Sequence, residues 1–280
     1  MLEELPDRIA SMRSALAENV AFVGDALDAI MKGIEALPPI PLGDVEVPSL
    51  ALIVLGLVWW RARATGHTTT TSAASAGLSG VALWAVSALG LGSELDVTLA
   101  LTLLGSAWGL AIGFPIGRAL GPYRDGGAIG QPFDFLAKVP AFAYLLLVVA
   151  FFSIGNVPSV VMAALVTLFT TVRRVRQVAQ WGLRGVRAFS ATLNSAVMRA
   201  YGAVILASVI GAGGLGRELF RGINTVNLDL GLRAVTAIVL TTFVLDRLTD
   251  HPVVKRLSPE ATPAFASRWQ ALQYAILGRF

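Results

Sequence analysis

Ile210–Gly216 reads IGAGGLG, at the end of an apolar run and directly ahead of Arg217, Glu218 and Arg221. Four glycines and no proline close that run. Glycine lets backbones approach closely and adopt positive φ. The segment therefore reads in two ways: as small-residue packing between helices, or as a broken, sharply turned span beside a pathway or a mobile contact. Which applies depends on the solvent the chain is built for.

Moving outward from the glycines, that solvent is lipid. Hydrophobic residues make up 55% of the 280 and charged ones only 14%, against roughly 25% charged in soluble domains. No formal charge lies between Arg63 and Glu94, between Asp96 and Arg118, or between Lys138 and Arg173. Each stretch is long enough to cross about 30 Å of hydrocarbon as a helix of about 20 residues. Membrane barrels use much shorter alternating segments. The expectation is an all-α polytopic membrane protein with seven spans: Val47–Trp60, Ala73–Leu91, Val97–Gly117, Phe133–Ser153, Val157–Val172, Ser190–Ile210 and Leu230–Leu245.

Charge is unevenly placed. Met1–Val47 holds nine acidic and three basic residues, whereas the whole chain is +4. In residues 1–46, Ile9, Met12, Leu16, Val20, Val23, Leu27, Ile30, Ile34 and Leu37 recur at steps of three and four, the seam of an amphipathic helix. It suits a surface helix, a membrane-surface helix or a partner helix, and Pro38, Pro39 and Pro41 end it. MLEELPDR has no apolar stretch of the kind a cleaved signal needs. After the membrane domain, residues 47–250, the tail 251–280 places Phe265, Trp269, Leu272 and Ile276 on one helical face, an interfacial anchor or a docking surface.

Basic residues follow alternate spans. Arg61 and Arg63 follow the first, Arg118 and Arg124 the third, Arg173, Arg174, Arg176, Arg184 and Arg187 the fifth, and Arg247, Lys255 and Arg256 the seventh. These loops belong in the cytoplasm, so the N-terminus is expected outside and the C-terminus inside. Arg217, Arg221 and Arg233 break the pattern.

Enzyme chemistry finds little support. The chain has no Cys and only His67 and His251, neither with a metal-ligand partner at useful spacing in a span. No phosphate-binding GxxxxGK[ST] occurs, no nucleic-acid motif is present, and no cofactor or metal is expected. Most acidic residues fall at span ends or in the acidic N-terminal segment, where solvated groups sit. Two intramembrane cations stand out. Lys138 is near enough to a span start to snorkel. Arg199 lies about ten residues into the sixth span. There an ionisable group is functional by default, unless the span begins later and Arg199 sits at the interface.

Several segments occur in order: LGSAWGLAIGFPIG at Leu104–Gly117, VPAFAYL at Val139–Leu145, IGNVP at Ile154–Pro158, VILASVIGAGGLG at Val204–Gly216, LFRGI at Leu219–Ile223 and LDRLT at Leu245–Thr249. Together, over roughly Leu95–Asp250, they resemble the permease subunit of ABC importers for glycine betaine, proline betaine, choline or carnitine. The resemblance implies a MetI-like permease fold in a bacterial cytoplasmic (inner) membrane. It also implies a homodimeric pore, a separate cytoplasmic ATPase and a periplasmic or tethered substrate-binding protein.

Under that resemblance, Pro140 kinks the fourth span and frees a carbonyl. Phe142 and Tyr144, two apart, point in different directions and are either helix packing or aromatic faces for a quaternary ammonium. Gly211, Gly213, Gly214 and Gly216 form an outer turn that receives substrate or moves between states. Asn156 reads first as the cap of its own turn. One departure stands out. The family's coupling loop carries an acidic E-A-A-type pattern, but Arg176–Leu193 reads RQVAQWGLRGVRAFSATL, shorter and basic. Arg176, Trp181, Arg184, Arg187 and Phe189 are the residues available to face an ATPase there. Either the chain couples through this or another surface, or it is an ATP-uncoupled paralogue serving as a structural or regulatory subunit. A secondary transporter is less well supported, because no inverted repeat or deeply placed carboxylate is evident.

Overall fold

The computed structural model describes residues 38–42, 45–64, 69–121, 127–152, 154–180 and 186–249, with scattered positions from 25 to 36. Of the segment expected at 1–46, residues 1–24 lie outside the described residues, as does the whole tail 251–280, while the described positions 25–26, 29–30 and 32–33 are helical. Helices dominate, as the apolar runs require. One small departure from the all-α expectation precedes them: β1 (Ile40–Leu42) pairs antiparallel with β2 (Val45–Val47), Ile40 opposite Val47.

Nine α-helices follow among the described residues: α1 (Ser49–Ala64), α2 (Thr69–Ala88), α3 (Gly92–Leu120), α4 (Gly127–Leu136), α5 (Ala141–Phe152), α6 (Asn156–Gln180), α7 (Val186–Ala207), α8 (Leu215–Asn224) and α9 (Leu228–Thr249). A 3₁₀ turn, Ser208–Ile210, extends α7. Four segments are individually long and apolar enough to cross a membrane: Gly92–Leu120, Asn156–Ala179, Thr192–Ile210 and Leu228–Thr249. Ser49–Trp60 and Ala76–Ala88 are shorter apolar helices. The protein is an all-α polytopic membrane protein.

The expected fourth span is not one straight helix. Gly130–Leu136 and Ala141–Phe152 meet at 97°. Pro140 explains the break, because it has no N–H to offer the carbonyl four residues back, that of Leu136. That carbonyl accepts instead from Val139 N–H at 3.0 Å and from the Tyr144 hydroxyl at 2.7 Å. Tyr144 is buried, and its ring stacks on Phe169 at 5.8 Å. The aromatic one turn beyond the proline thus supplies a donor to the acceptor the proline orphaned.

The bundle is organised around α3, α6 and α7. One apolar cluster joins α3, α5, α6 and α7; a second joins α1, α2, α3, α7 and α9. The closest approach is between α3 and α6. Gly105, Gly109, Gly113 and Gly117 fall every fourth residue on one face of α3, against Ala163, Thr167, Thr171 and Val175 of α6. A Cβ at Gly109 would stand 2.5 Å from the Thr167 Cβ and 2.8 Å from the Ala164 carbonyl. Lipid supplies no hydrophobic drive between helices, so such close backbone packing takes its place. Buried hydroxyls bond back along their own helices, as Thr98 to Glu94, Thr102 to Thr98 and Thr241 to Ala237, so few polar groups face apolar surroundings unpaired.

The cytoplasm-assigned basic stretch is partly helical. α6 continues through Gln180, and α7 starts at Val186. Arg176 is therefore not in a loop. It is buried, and its Nη1 donates to the Gly130 carbonyl at 3.0 Å and to Asp134 at 2.9 Å, tying α4 to the end of α6.

Candidate functional site: the clamped glycine turn

The IGAGGLG segment joins two helices by a fully bonded break. α7 ends through the 3₁₀ turn, and Gly211 adopts φ +83°, with its N–H bonded to Ser208 O at 3.1 Å and Ala212 N–H to Ala207 O at 3.4 Å. A left-handed glycine is the usual way to end a helix while pairing its last carbonyls. Gly214 then adopts φ +92°, ψ −171°, a region essentially closed to side-chain-bearing residues. A Cβ there would also collide with the Thr98 hydroxyl. Leu215 begins α8, so one short segment ends one helix and starts another.

A helix start leaves amides without intrahelical partners, and here other helices supply the acceptors. Gly213 N–H donates to Asn156 Oδ1 at 2.9 Å, Gly214 N–H to Glu94 Oε2 at 2.9 Å, and Leu215 N–H to Thr98 Oγ1 at 2.8 Å. Glu94 and Thr98 lie four apart on the first turns of α3, one above the other on a single face. The other Glu94 oxygen takes Arg217 Nη2 at 2.9 Å. A carboxylate at the positive end of α8 is also favoured by the helix dipole. Glu218, buried on α8, lies 3.9 Å from Arg217 and 3.6 Å from Arg221.

This geometry corrects two expectations. Glu94 and Glu218 are not solvated span-end groups: their side chains are 17% and 11% exposed and hold the turn in place. Asn156 does more than cap its own turn, because its side chain reaches Gly213 on the glycine segment. Two motifs separate in sequence, IGNVP and IGAGGLG, are thereby one structure. Sequence reasoning missed Glu94 and Thr98. The available signal was their i, i+4 spacing at the head of an apolar helix.

The remaining singled-out residues divide. Gly216 packs where a Cβ would strike the Ser208 hydroxyl and come within 2.7 Å of the Ile205 carbonyl. Gly213 has ordinary φ, and a Cβ there would meet Val97 at 3.1 Å. Pro140 and Phe142 are exposed, Phe142 to 61%. Phe189 is exposed and packs edge-on to Phe114 at 5.5 Å, beside an apolar cavity of about 640 Å³ between α3, α7 and α9. Arg187 lies in the first turn of α7, and Trp181 and Arg184 lie outside the described residues. The arrangement binds and positions backbone. Among the described residues no group of three metal-ligating side chains forms.

A multi-helix membrane bundle with a proline-broken span and a glycine turn clamped by three neighbouring side chains has the build of a membrane permease. Comparison with characterised proteins gives the family. The chain is 32% identical over 251 residues to the glycine betaine/proline betaine transport system permease protein ProW of Escherichia coli, covering 80% of this chain and 67% of that protein. It is 29% identical over 263 residues to the glycine betaine transport system permease protein OpuAB of Bacillus subtilis, covering 84% and 90%. It is 32% identical over 182 residues to the glycine betaine/carnitine transport permease protein GbuB of Listeria monocytogenes, covering 56% and 64%. No family model matches the chain. The chain belongs to the family of glycine betaine transport permease proteins, as its motifs suggested. It spans about two thirds of the length of the E. coli relative.

Proposed function

We propose that the chain is the transmembrane subunit of an ATP-driven ABC importer that moves a compatible solute of the glycine betaine or choline type across a bacterial cytoplasmic membrane. Kinship over most of the chain, with the glycine turn held by three side chains from two helices, carries this reading. In it, α1, α2, α3, the bent α4–α5 pair, α6, α7 and α9 make seven crossings, with the N-terminus outside and the C-terminus in the cytoplasm. The glycine turn then lies on the outer side. Arg217, Arg221 and Arg233, the cations that broke the basic bias, each pair with an acid there, namely Glu94, Glu218 and Asp229. That supports the orientation, because a neutralised arginine carries little topological weight.

The permease works as a homodimer, receives solute from a binding protein, and leaves ATP hydrolysis to a separate subunit. Gly211, Gly213, Gly214, Gly216 and Asn156 act as a latch on the outer side. Exposed Phe142 offers a ring face to a quaternary ammonium, a role that buried Tyr144 does not share.

A second reading, an ATP-uncoupled structural or regulatory paralogue, is favoured by one observation. Only residues 181–185 separate α6 from α7, and Arg176 is engaged with Asp134 and Gly130, which leaves little loop for an ATPase to push. Affinity capture of the tagged protein from its own membranes in mild detergent separates the two. Stoichiometric recovery of an ABC-type ATPase, with ATP-dependent betaine uptake in vesicles, supports the importer. Capture of other membrane proteins and no ATPase supports the paralogue.

A further inference from the structure

Arg199 lies on α7 within the candidate span Thr192–Ile210. Two hydrogen bonds fix its depth. Three residues before it, the Ala196 carbonyl accepts from Thr167 at 3.4 Å, and Thr167 is near the middle of α6. Two residues after it, the Tyr201 hydroxyl donates to the Ile238 carbonyl at 2.9 Å, and Ile238 is near the middle of α9. Arg199 is thus level with the middles of α6 and α9, seven residues inside the candidate span rather than at its end.

The side chain is exposed, and among the described residues it has no hydrogen-bond or ion-pair partner. One turn along, Gly202 is also exposed, and a Cβ built on it meets nothing within 4 Å. A guanidinium at this depth needs water or an anion. We propose that Arg199 faces the solute pathway and is a specificity-determining residue that holds the solute's carboxylate. A betaine carries a quaternary ammonium that no arginine attracts and a carboxylate that matches the two parallel N–H donors of a guanidinium. Choline has the first group and lacks the second. An exposed arginine in a hydrated cavity binds that carboxylate weakly enough to release it.

This inference rests on the importer reading, so uptake of radiolabelled glycine betaine by the unsubstituted complex in its native membrane is measured first. Absence of uptake there overturns the parent reading and the solute assignment with it. With uptake intact, the cysteine-free chain permits a direct probe. Gly202→Cys, which keeps Arg199 in place on the same exposed face, and separately Arg199→Cys, are treated with membrane-impermeant charged thiosulfonates. The expected result is labelling at both positions, slowed by glycine betaine and not by choline in Gly202→Cys, where the guanidinium remains, with uptake reduced at least about tenfold in Arg199→Gln and less in Arg199→Lys. Unreactive thiols at both positions would mean that this face meets lipid or a second copy, and would overturn the inference alone. Labelling that betaine does not slow, with full uptake in Arg199→Gln, would overturn the carboxylate role.

Discussion

The Tyr144 hydroxyl donates to the Leu136 carbonyl at 2.7 Å across the bend that Pro140 imposes. The partner is the one acceptor the proline cannot serve on its own helix. Tyr144→Phe removes this bond and leaves Leu136 with the Val139 amide. The expected cost is about 1 kcal/mol, a typical net hydrogen bond, or a melting temperature lower by about 2–4 °C. Thermal unfolding in detergent checks it. Phe142→Ala, at an exposed ring, should leave melting unchanged and lower uptake. Equal melting shifts for the two variants would refute this division of roles.

Gly214 and Gly213 are neighbours with different requirements. Gly214→Ala places a Cβ at φ +92° and against the Thr98 hydroxyl, a strain of about 1–3 kcal/mol from the backbone alone. Gly213→Ala meets Val97 at 3.1 Å and Asn156 Oδ1 at an ordinary 3.5 Å, at ordinary φ. The yield of monodisperse protein on size-exclusion should fall sharply for the first and little for the second.

Glu94 satisfies both Gly214 N–H and Arg217. Glu94→Gln keeps an acceptor for the amide, whereas Glu94→Ala leaves the amide without one, costing about 1–3 kcal/mol. Arg217 is half exposed, so its ion pair with Glu94 contributes only about 0–1 kcal/mol. In denaturation monitored by fluorescence the order of stability should be wild type, Gln, Ala, with Arg217→Gln close to wild type. Arg217→Gln as damaging as Glu94→Ala would show that the charge pair, not the amide bond, holds the turn.

The α3–α6 contact should tolerate no side chain at its centre. Gly109→Ala drives a Cβ into the Thr167 Cβ and the Ala164 backbone, and overpacking a close core costs about 1–3 kcal/mol or more. Gly56→Ala, where nothing lies within 4 Å, is the control and should match or slightly exceed wild type, because a helix prefers Ala to Gly. Comparable expression and melting for both variants would show that the helices separate more easily than the packing implies.

Local chemistry made much of this readable. Uncharged runs mark membrane helices because hydrocarbon accepts little else, and the third, fifth, sixth and seventh expected spans coincide with helices long and apolar enough to cross, the fourth appearing as a bent pair and the first two as shorter apolar helices. Pro140 announced the bend, although Pro115 lies within α3 without breaking it, and two of the four glycines at the end of the later run, Gly211 and Gly214, take positive φ. Helix α8 was not anticipated. Its ten residues, LGRELFRGIN, mix charge and apolar groups in a way that reads as loop until Glu218 is seen turned inward.

By itself, the sequence determined the class of molecule, the number of apolar segments, the places where the chain must break and the family. These depend on hydropathy, φ preference and short motifs, which are properties of neighbours in the chain. Only the tertiary structure decided what meets the breaks. Glu94 and Gly214 are 120 residues apart, and Arg176 and Asp134 are 42 apart; no local pattern names such partners. In a membrane bundle the packed face and the lipid face of a helix are both apolar, so periodicity does not separate them. What fixed the partners was the demand that amides and charges removed from water find an acceptor, a demand met by whichever side chain the close glycine packing of α3 on α6 brings within reach.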